Sequence, residues 1–146
     1  MTNFSACVLE IKFKFGKCNN KFFTTTANYS NKTTQIIPNL TNGEFVAEYK
    51  VDITLPAIVT LTFSGKDQFF DTKVGTDGEI EEDLHVQITD ILLDGFPLNE
   101  IFLHQKINLE TEKGEKYTTS YIGFNGTIQL NFEKDNVFSQ VLISNS

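Results

Sequence analysis

Residues 45–55 read Phe-Val-Ala-Glu-Tyr-Lys-Val-Asp-Ile-Thr-Leu. Phe45, Ala47, Tyr49, Val51, Ile53 and Leu55 alternate with Glu48, Lys50, Asp52 and Thr54. A period of two puts one row of side chains on a buried face and the other in water, so this stretch predicts a half-buried β-strand. Cys7–Phe15 is spelled the same way, with Leu9, Ile11, Phe13 and Phe15 alternating with Glu10, Lys12 and Lys14. Val59, Leu61 and Phe63, separated by Thr60 and Thr62, make a third strand, and Pro56 marks a bend or edge where one ladder ends.

Leu84, Val86 and Ile88 begin a fourth strand, after which the phase slips and Ile91 and Leu93 take the apolar side. A bulge near Thr89–Asp90 repairs the register without burying the carboxylate. Further strands are expected at Ile101–Leu109, at Tyr117–Ile122 and at Thr127–Phe132, with a weaker one at Lys21–Thr26. Turn signals punctuate these runs at Asn42-Gly43, Ser64-Gly65, Asp77-Gly78, Asp94-Gly95, Lys113-Gly114 and Asn125-Gly126. At the tail, Asp135 or Asn136 caps a short C-terminal helix bearing Val137, Phe138, Val141 and Leu142, and the same residues also fit a terminal strand.

Seven to nine short strands, frequent turns and almost no helix predict an all-β chain, a single β-sandwich of jelly-roll type, with an open barrel as the alternative. Residues 1–44 read as an N-terminal strand followed by a polar, Thr- and Asn-rich irregular connection over 17–44. That segment belongs to the same domain or serves as an assembly arm, and 45–146 form the sandwich core. The expectation is one domain overall. The length of 146 residues is ordinary for one domain, and 40% hydrophobic residues suffice for a packed core.

Nineteen acids against twelve bases give a net charge of −7, and every base is a lysine. Without arginine's bidentate fork or a basic face, nucleic-acid binding is disfavoured. No apolar run approaches the ~18–20 residues of a membrane-spanning helix, so a membrane partner is not expected. Met1–Phe15 alternates charged and apolar residues and has no signal-peptide apolar core, which predicts synthesis without a secretion leader. The five Asn-x-Ser/Thr triplets then read as composition.

The acidity is local. Residues 1–66 carry +3, residues 67–100 carry −9 and residues 101–146 carry −1. A solvated acidic loop is one reading of the middle stretch and a hard-cation site is the other, because Ca²⁺ takes several carboxylate and carbonyl oxygens from loops. Asp67, Asp71, Asp77 and Asp83 are the calcium candidates. Their spacing is not that of a helix–loop–helix calcium site.

Little else carries chemistry. Cys7 and Cys18 are the only cysteines and read as free thiols, since a structural zinc site would need partners that neither His85 nor His104 supplies locally. The two histidines fall in expected strands as solvent-facing or hydrogen-bonded side chains. There is no Gly-x-Ser-x-Gly elbow and no phosphate loop, and the crowded carboxylates Glu79, Glu81, Glu82 and Asp83 offer no separated acid and base roles. The expectation is a protein that is not an enzyme. Fourteen Phe and no Trp point to core filling rather than a sugar-stacking platform.

A succession of segments carries one resemblance: Ile53-Thr54-Leu55-Pro56, Ser64-Gly65-Lys66-Asp67, Asp71-Thr72-Lys73-Val74 and Asp77-Gly78-Glu79-Ile80, then Ile91-Leu92-Leu93-Asp94-Gly95-Phe96-Pro97-Leu98, Gly123-Phe124-Asn125-Gly126 and Phe138–Leu142. In this order, over roughly residues 45–142, the chain resembles a small β-sandwich domain of virion-associated proteins of tailed phages. That domain is similar to the calcium-dependent xylan-binding modules of plant-wall enzymes. The resemblance implies a jelly-roll component of a virion: a capsid decoration, a head fibre or a tail or baseplate accessory. Its partners would be other virion proteins and further copies of itself. The alternative it implies is a lectin-like module in which loop-bound Ca²⁺ contacts the hydroxyls of a host-surface polysaccharide.

Overall fold

Alternation along β1 (Ala6–Gly16) separates core from solvent as its spelling dictates: Cys7, Leu9, Ile11, Phe13 and Phe15 are buried while Lys12 is exposed. The computed structural model describes residues 6–67, 72–78, 80–98, 108–111, 114–118 and 121–133. The strands that follow β1 are β2 (Thr24–Tyr29), β3 (Lys32–Ile36), β4 (Asn39–Thr41), β5 (Glu44–Thr54), β6 (Ala57–Ser64) and β7 (Thr72–Val74). After these come β8 (Ile80–Asp83), β9 (His85–Leu93), β10 (Phe96–Pro97), β11 (Asn108–Thr111), β12 (Lys116–Thr118), β13 (Tyr121–Ile122) and β14 (Gly126–Phe132). No helix occurs among the described residues.

Two antiparallel sheets pack face to face, as a β-sandwich. One runs β10-β9-β1-β5-β4, with β13 also on β9; the other runs β12-β11-β14-β6-β2-β3. The hairpin β7–β8 stands apart from both. The core lies between the inward rows. Leu9, Ile11, Phe13, Tyr49, Ile53, Val86, Ile88, Ile91 and Leu93 meet Ala27, Val59, Leu61, Phe63, Leu109, Ile128, Leu130 and Phe132. Truncating one of the fully buried side chains, such as Leu61 or Phe63, costs on the order of 2–5 kcal/mol. Most of the described phenylalanines fill this core or its edge, and Phe23 meets Phe63 edge-on at 6.3 Å.

The expected bulge is present. Lys12 pairs with Asp90 and Phe13 pairs with Ile88, so Thr89 is the extra residue on β9, and its hydroxyl donates to the Lys12 carbonyl at 3.3 Å. Leu55–Pro56 carries the chain from β5 in one sheet to β6 in the other.

Three details differ from the expectation. Residues 17–44 are mostly strand: β2 lies beside β6 inside the second sheet, and β3 and β4 are edge strands. Their Thr- and Asn-rich spelling hid this because an edge strand needs few apolar residues; β3 buries only Ile36. The expected Tyr117–Ile122 strand is two strands, β12 and β13, in opposite sheets. Of Ile101–Leu109 only the end, within β11, is described; the rest, including His104, and the tail from 134 lie outside the described residues. Two hairpin turns escaped notice for lack of glycine. Ser30-Asn31 and Asn19-Asn20 both take positive φ at two successive positions, which Asn tolerates better than most residues.

Candidate functional site

The charged residues behave differently on the two flanks of the sandwich. On the β9 flank, Lys66 leaves the end of β6 and turns inward, its side chain only 3% exposed. Its ammonium donates to Asp83 Oδ1 at 2.7 Å and to the Gly123 carbonyl at 2.8 Å. Asn125 straps its backbone, accepting from Lys66 N–H at 2.9 Å and donating to the Lys66 carbonyl at 2.8 Å. Tyr121 donates its hydroxyl to the second Asp83 oxygen at 2.9 Å, and its ring stacks on His85 at 4.6 Å. His85 Nδ1 lies 3.0 Å from the Asp83 carbonyl, and the ring sits so close over Gly16 that a Cβ there would overlap it.

Electrostatics follow from this packing. Burial, the hydrogen bond to Asp83 and the carboxylate's charge together push the Tyr121 phenol well above its ordinary value of 10.0. Lys66, Asp83, Tyr121, His85 and Asn125 each have at least one polar partner within the cluster. Among the described residues no buried side-chain nitrogen or oxygen lacks a hydrogen-bond partner. The network joins the end of β6, β8, β9, β13 and the 123–125 turn. It presents no activated nucleophile and no acid–base pair with distinct tasks.

The four calcium candidates fare as follows. Asp67 and Asp77 are exposed, Asp77 in the turn closed by Gly78 N–H donating to the Gly75 carbonyl at 3.0 Å. Asp83 is half-buried with both carboxylate oxygens engaged by Lys66 and Tyr121. Asp71 lies outside the described residues. Among the described residues, no three His, Cys, Asp or Glu side chains converge on a point that could hold a metal ion. Cys7 and Cys18 are both buried and not joined in a disulfide. Burial, followed by the charge and hydrogen bond of Asp94, raises the Cys7 thiol above its usual range and keeps it protonated.

The β5 flank is built differently. β4 covers the outer edge of β5 only at residues 44–46, so among the described residues 47–54 pair with β1 alone. Thr54 N–H points away from β1 and donates to the Tyr29 hydroxyl at 3.0 Å. Since antiparallel strands aim alternate residues to the same side, Glu48, Lys50 and Asp52 also direct their N–H and C=O groups outward. Alongside runs a cleft of about 740 Å³. Its opposite wall is the β2–β3 hairpin, through Tyr29, Ser30, Lys32 and Thr34. Burial and the neighbouring Tyr29 raise the Tyr49 phenol, and the cleft presents both tyrosine side chains between mixed charges. Ile37 and Leu40 lie exposed at the adjoining β3–β4 corner, 62% and 64% accessible.

Sequence reasoning missed Lys66, Tyr121 and Asn125 as a unit, and it missed the cleft. No local signal marks the former, because the three residues meet only through the fold. The period of 45–55 reveals which side chains are buried but not that, among the described residues, no strand lies opposite the outer edge at 47–54. No family model, curated protein or solved structure matches the chain.

Proposed function

We propose that this chain is a structural component of a tailed-phage virion, a capsid decoration, head fibre or tail or baseplate accessory, built on a jelly-roll sandwich and without catalytic activity. The order of segments over residues 45–142 supports the source of the reading. The observation that carries it is the outer edge of β5 at residues 47–54, which has no strand opposite it among the described residues, beside the exposed Ile37 and Leu40. Unpaired strand edges are natural docking points for another chain, and a monomer normally blunts them. Here the side chains of Glu48, Lys50 and Asp52 are exposed along the strand. Quantitative mass spectrometry of gradient-purified particles tests the reading: a fixed copy number per particle is expected. Absence from intact particles would overturn it.

A second reading, a host-surface glycan module, draws on the cleft. Its volume falls within the range of ligand pockets, and Tyr29 and Tyr49 stand among Lys32, Glu48 and Asp52, groups suited to sugar hydroxyls. Calcium dependence rests on Asp67, Asp71, Asp77 and Asp83, of which Asp83 would have to exchange the Lys66 ammonium for the ion. A polysaccharide panel read with excess Ca²⁺ and again with chelator separates the cases. Chelator-sensitive binding supports the calcium module, chelator-blind binding a sugar site without the metal, and no binding removes this second reading.

A further inference from the structure

We propose that Asn42-Gly43, the tip of the β4–β5 hairpin, is a site of spontaneous covalent modification. Asn42 loses its side-chain amide to the backbone and becomes aspartate or isoaspartate, and the isoaspartate product releases β4 from β5. The same dipeptide at Asn125-Gly126 is kept intact by the fold. These are the two Asn-Gly pairs of the chain.

An asparagine followed by glycine carries its own nucleophile. The glycine nitrogen gives its proton to solvent and attacks the asparagine Cγ, forming an N–Cγ bond. The Cγ–Nδ2 bond breaks, and the amide nitrogen leaves as ammonia with a proton from solvent. Water then opens the cyclic imide at one carbonyl to give aspartate, or at the other to give isoaspartate, whose main chain runs through Cβ and Cγ. Glycine favours the attack because it carries no Cβ and lets the backbone turn freely. Three conditions decide whether a folded chain allows it: a free side-chain amide, a free glycine N–H, and room for the backbone to rotate into the ring.

At Asn42 all three are met. Thr41 pairs with Glu44, so Asn42 and Gly43 are the loop of the hairpin, at φ of 50° and 80°. Both residues are exposed. Neither the Asn42 amide nor the Gly43 N–H has a hydrogen-bond partner among the described residues. A Cβ built on Gly43 would meet nothing within 4 Å, which leaves space for the ring. All three residues of β4 are exposed, so opening this end of the hairpin uncovers no core.

Asn125 meets none of them. Its Oδ1 accepts from Lys66 N–H at 2.9 Å and its Nδ2 donates to the Lys66 carbonyl at 2.8 Å. Gly126 is buried at the start of β14, paired with Phe63 of β6 on one side and Thr111 of β11 on the other. The Glu110 carbonyl lies so close that a Cβ on Gly126 would overlap it, so the backbone has no room to turn. Breaking the two hydrogen bonds of the amide alone slows ring closure about tenfold. At Asn42 the product has a structural consequence. Isoaspartate adds a main-chain carbon to a loop closed tightly by Thr41 and Glu44, so β4 loses its register on Glu44 and Val46.

The test incubates the whole chain at mildly alkaline pH, folded and in urea, and follows aspartate and isoaspartate at both positions by peptide mapping. In the folded chain, conversion of Asn42 is expected to be at least about tenfold faster than that of Asn125, and urea should bring the two rates within about threefold. Comparable rates in the folded chain, or a faster one at Asn125, overturn the proposal. So does a folded chain whose Asn42 stays intact while the chain in urea is converted. A gap that survives in urea also overturns it, since the neighbouring residues and not the fold would then set the rates. The second readout is amide exchange on the isoaspartate form, separated by ion exchange. Glu44 and Val46 should exchange about tenfold faster than in the unmodified chain, with Phe45, whose N–H faces β1, unchanged. Undiminished protection at Glu44 and Val46 would overturn the release of β4.

Discussion

The two flanks of the first sheet solve the same problem in opposite ways. Both β9 and β5 flank the central strand β1, and each has an outer edge of backbone groups to satisfy. On β9, β10 takes up Leu92 and Leu93, β13 takes up Val86 and Gln87, and Leu98 N–H closes on the Ile91 carbonyl at 2.7 Å. The Lys66–Asp83–Tyr121 network then ties β13 and β8 down beside this edge. On β5, pairing of the outer edge stops at Val46 among the described residues and a cleft follows. Among the described residues, the chain closes one edge with short strands beside a buried ion pair and leaves residues 47–54 on the other without a strand opposite them.

Substitutions can break that contrast, beginning on the sealed flank. Lys66→Met removes the buried cation and leaves Asp83 short of a partner, so urea unfolding should show a loss of about 3 kcal/mol. A loss below about 1 kcal/mol would mean that the network decorates the flank instead of holding it. Next comes Gly16→Ala. Its added Cβ overlaps His85, which must leave its stack on Tyr121, at a cost of about 2 kcal/mol in the same experiment.

Tyr121→Phe should cost about 1 kcal/mol at neutral pH for the hydrogen bond to Asp83. It also changes the pH profile. The folded phenol titrates above its unfolded value of 10.0, so its contribution is fully present below pH 10 and is lost as pH rises towards the folded value. The unmodified protein should therefore lose stability above pH 10 more steeply than Tyr121→Phe, and parallel profiles would refute the linkage. The smallest effect belongs to the open flank. Lys50→Pro should alter stability by only about 0.5 kcal/mol, because its N–H serves no ladder within the chain and its 3.7 Å contact with Glu10 is exposed. A loss of several kcal/mol would show that the edge is already used internally.

Much of the fold was legible in the spelling. The period of two in β1, β5 and β6 identifies the inward rows, and the phase slip at Thr89–Asp90 locates the bulge. Edge strands were not legible, because β3 and β4 bury almost nothing and so leave no apolar rhythm. Nor was the division of Tyr117–Ile122, where a change of sheet leaves the residue pattern nearly intact. Asp83 stood out as an acid in an acidic stretch, yet its partner Lys66 is 17 residues away and reaches it only after β6 and β8 are placed. The open edge has no residue signature at all.

Amide hydrogen exchange along β5, followed residue by residue by nuclear magnetic resonance, addresses the central contrast directly. In dilute protein, Glu48, Lys50 and Asp52 should exchange rapidly while Tyr49, Val51 and Ile53, whose N–H groups face β1, remain protected. Slow exchange at Glu48, Lys50 and Asp52 in the dilute monomer would contradict the account, since the β5 edge would then be closed within a single chain.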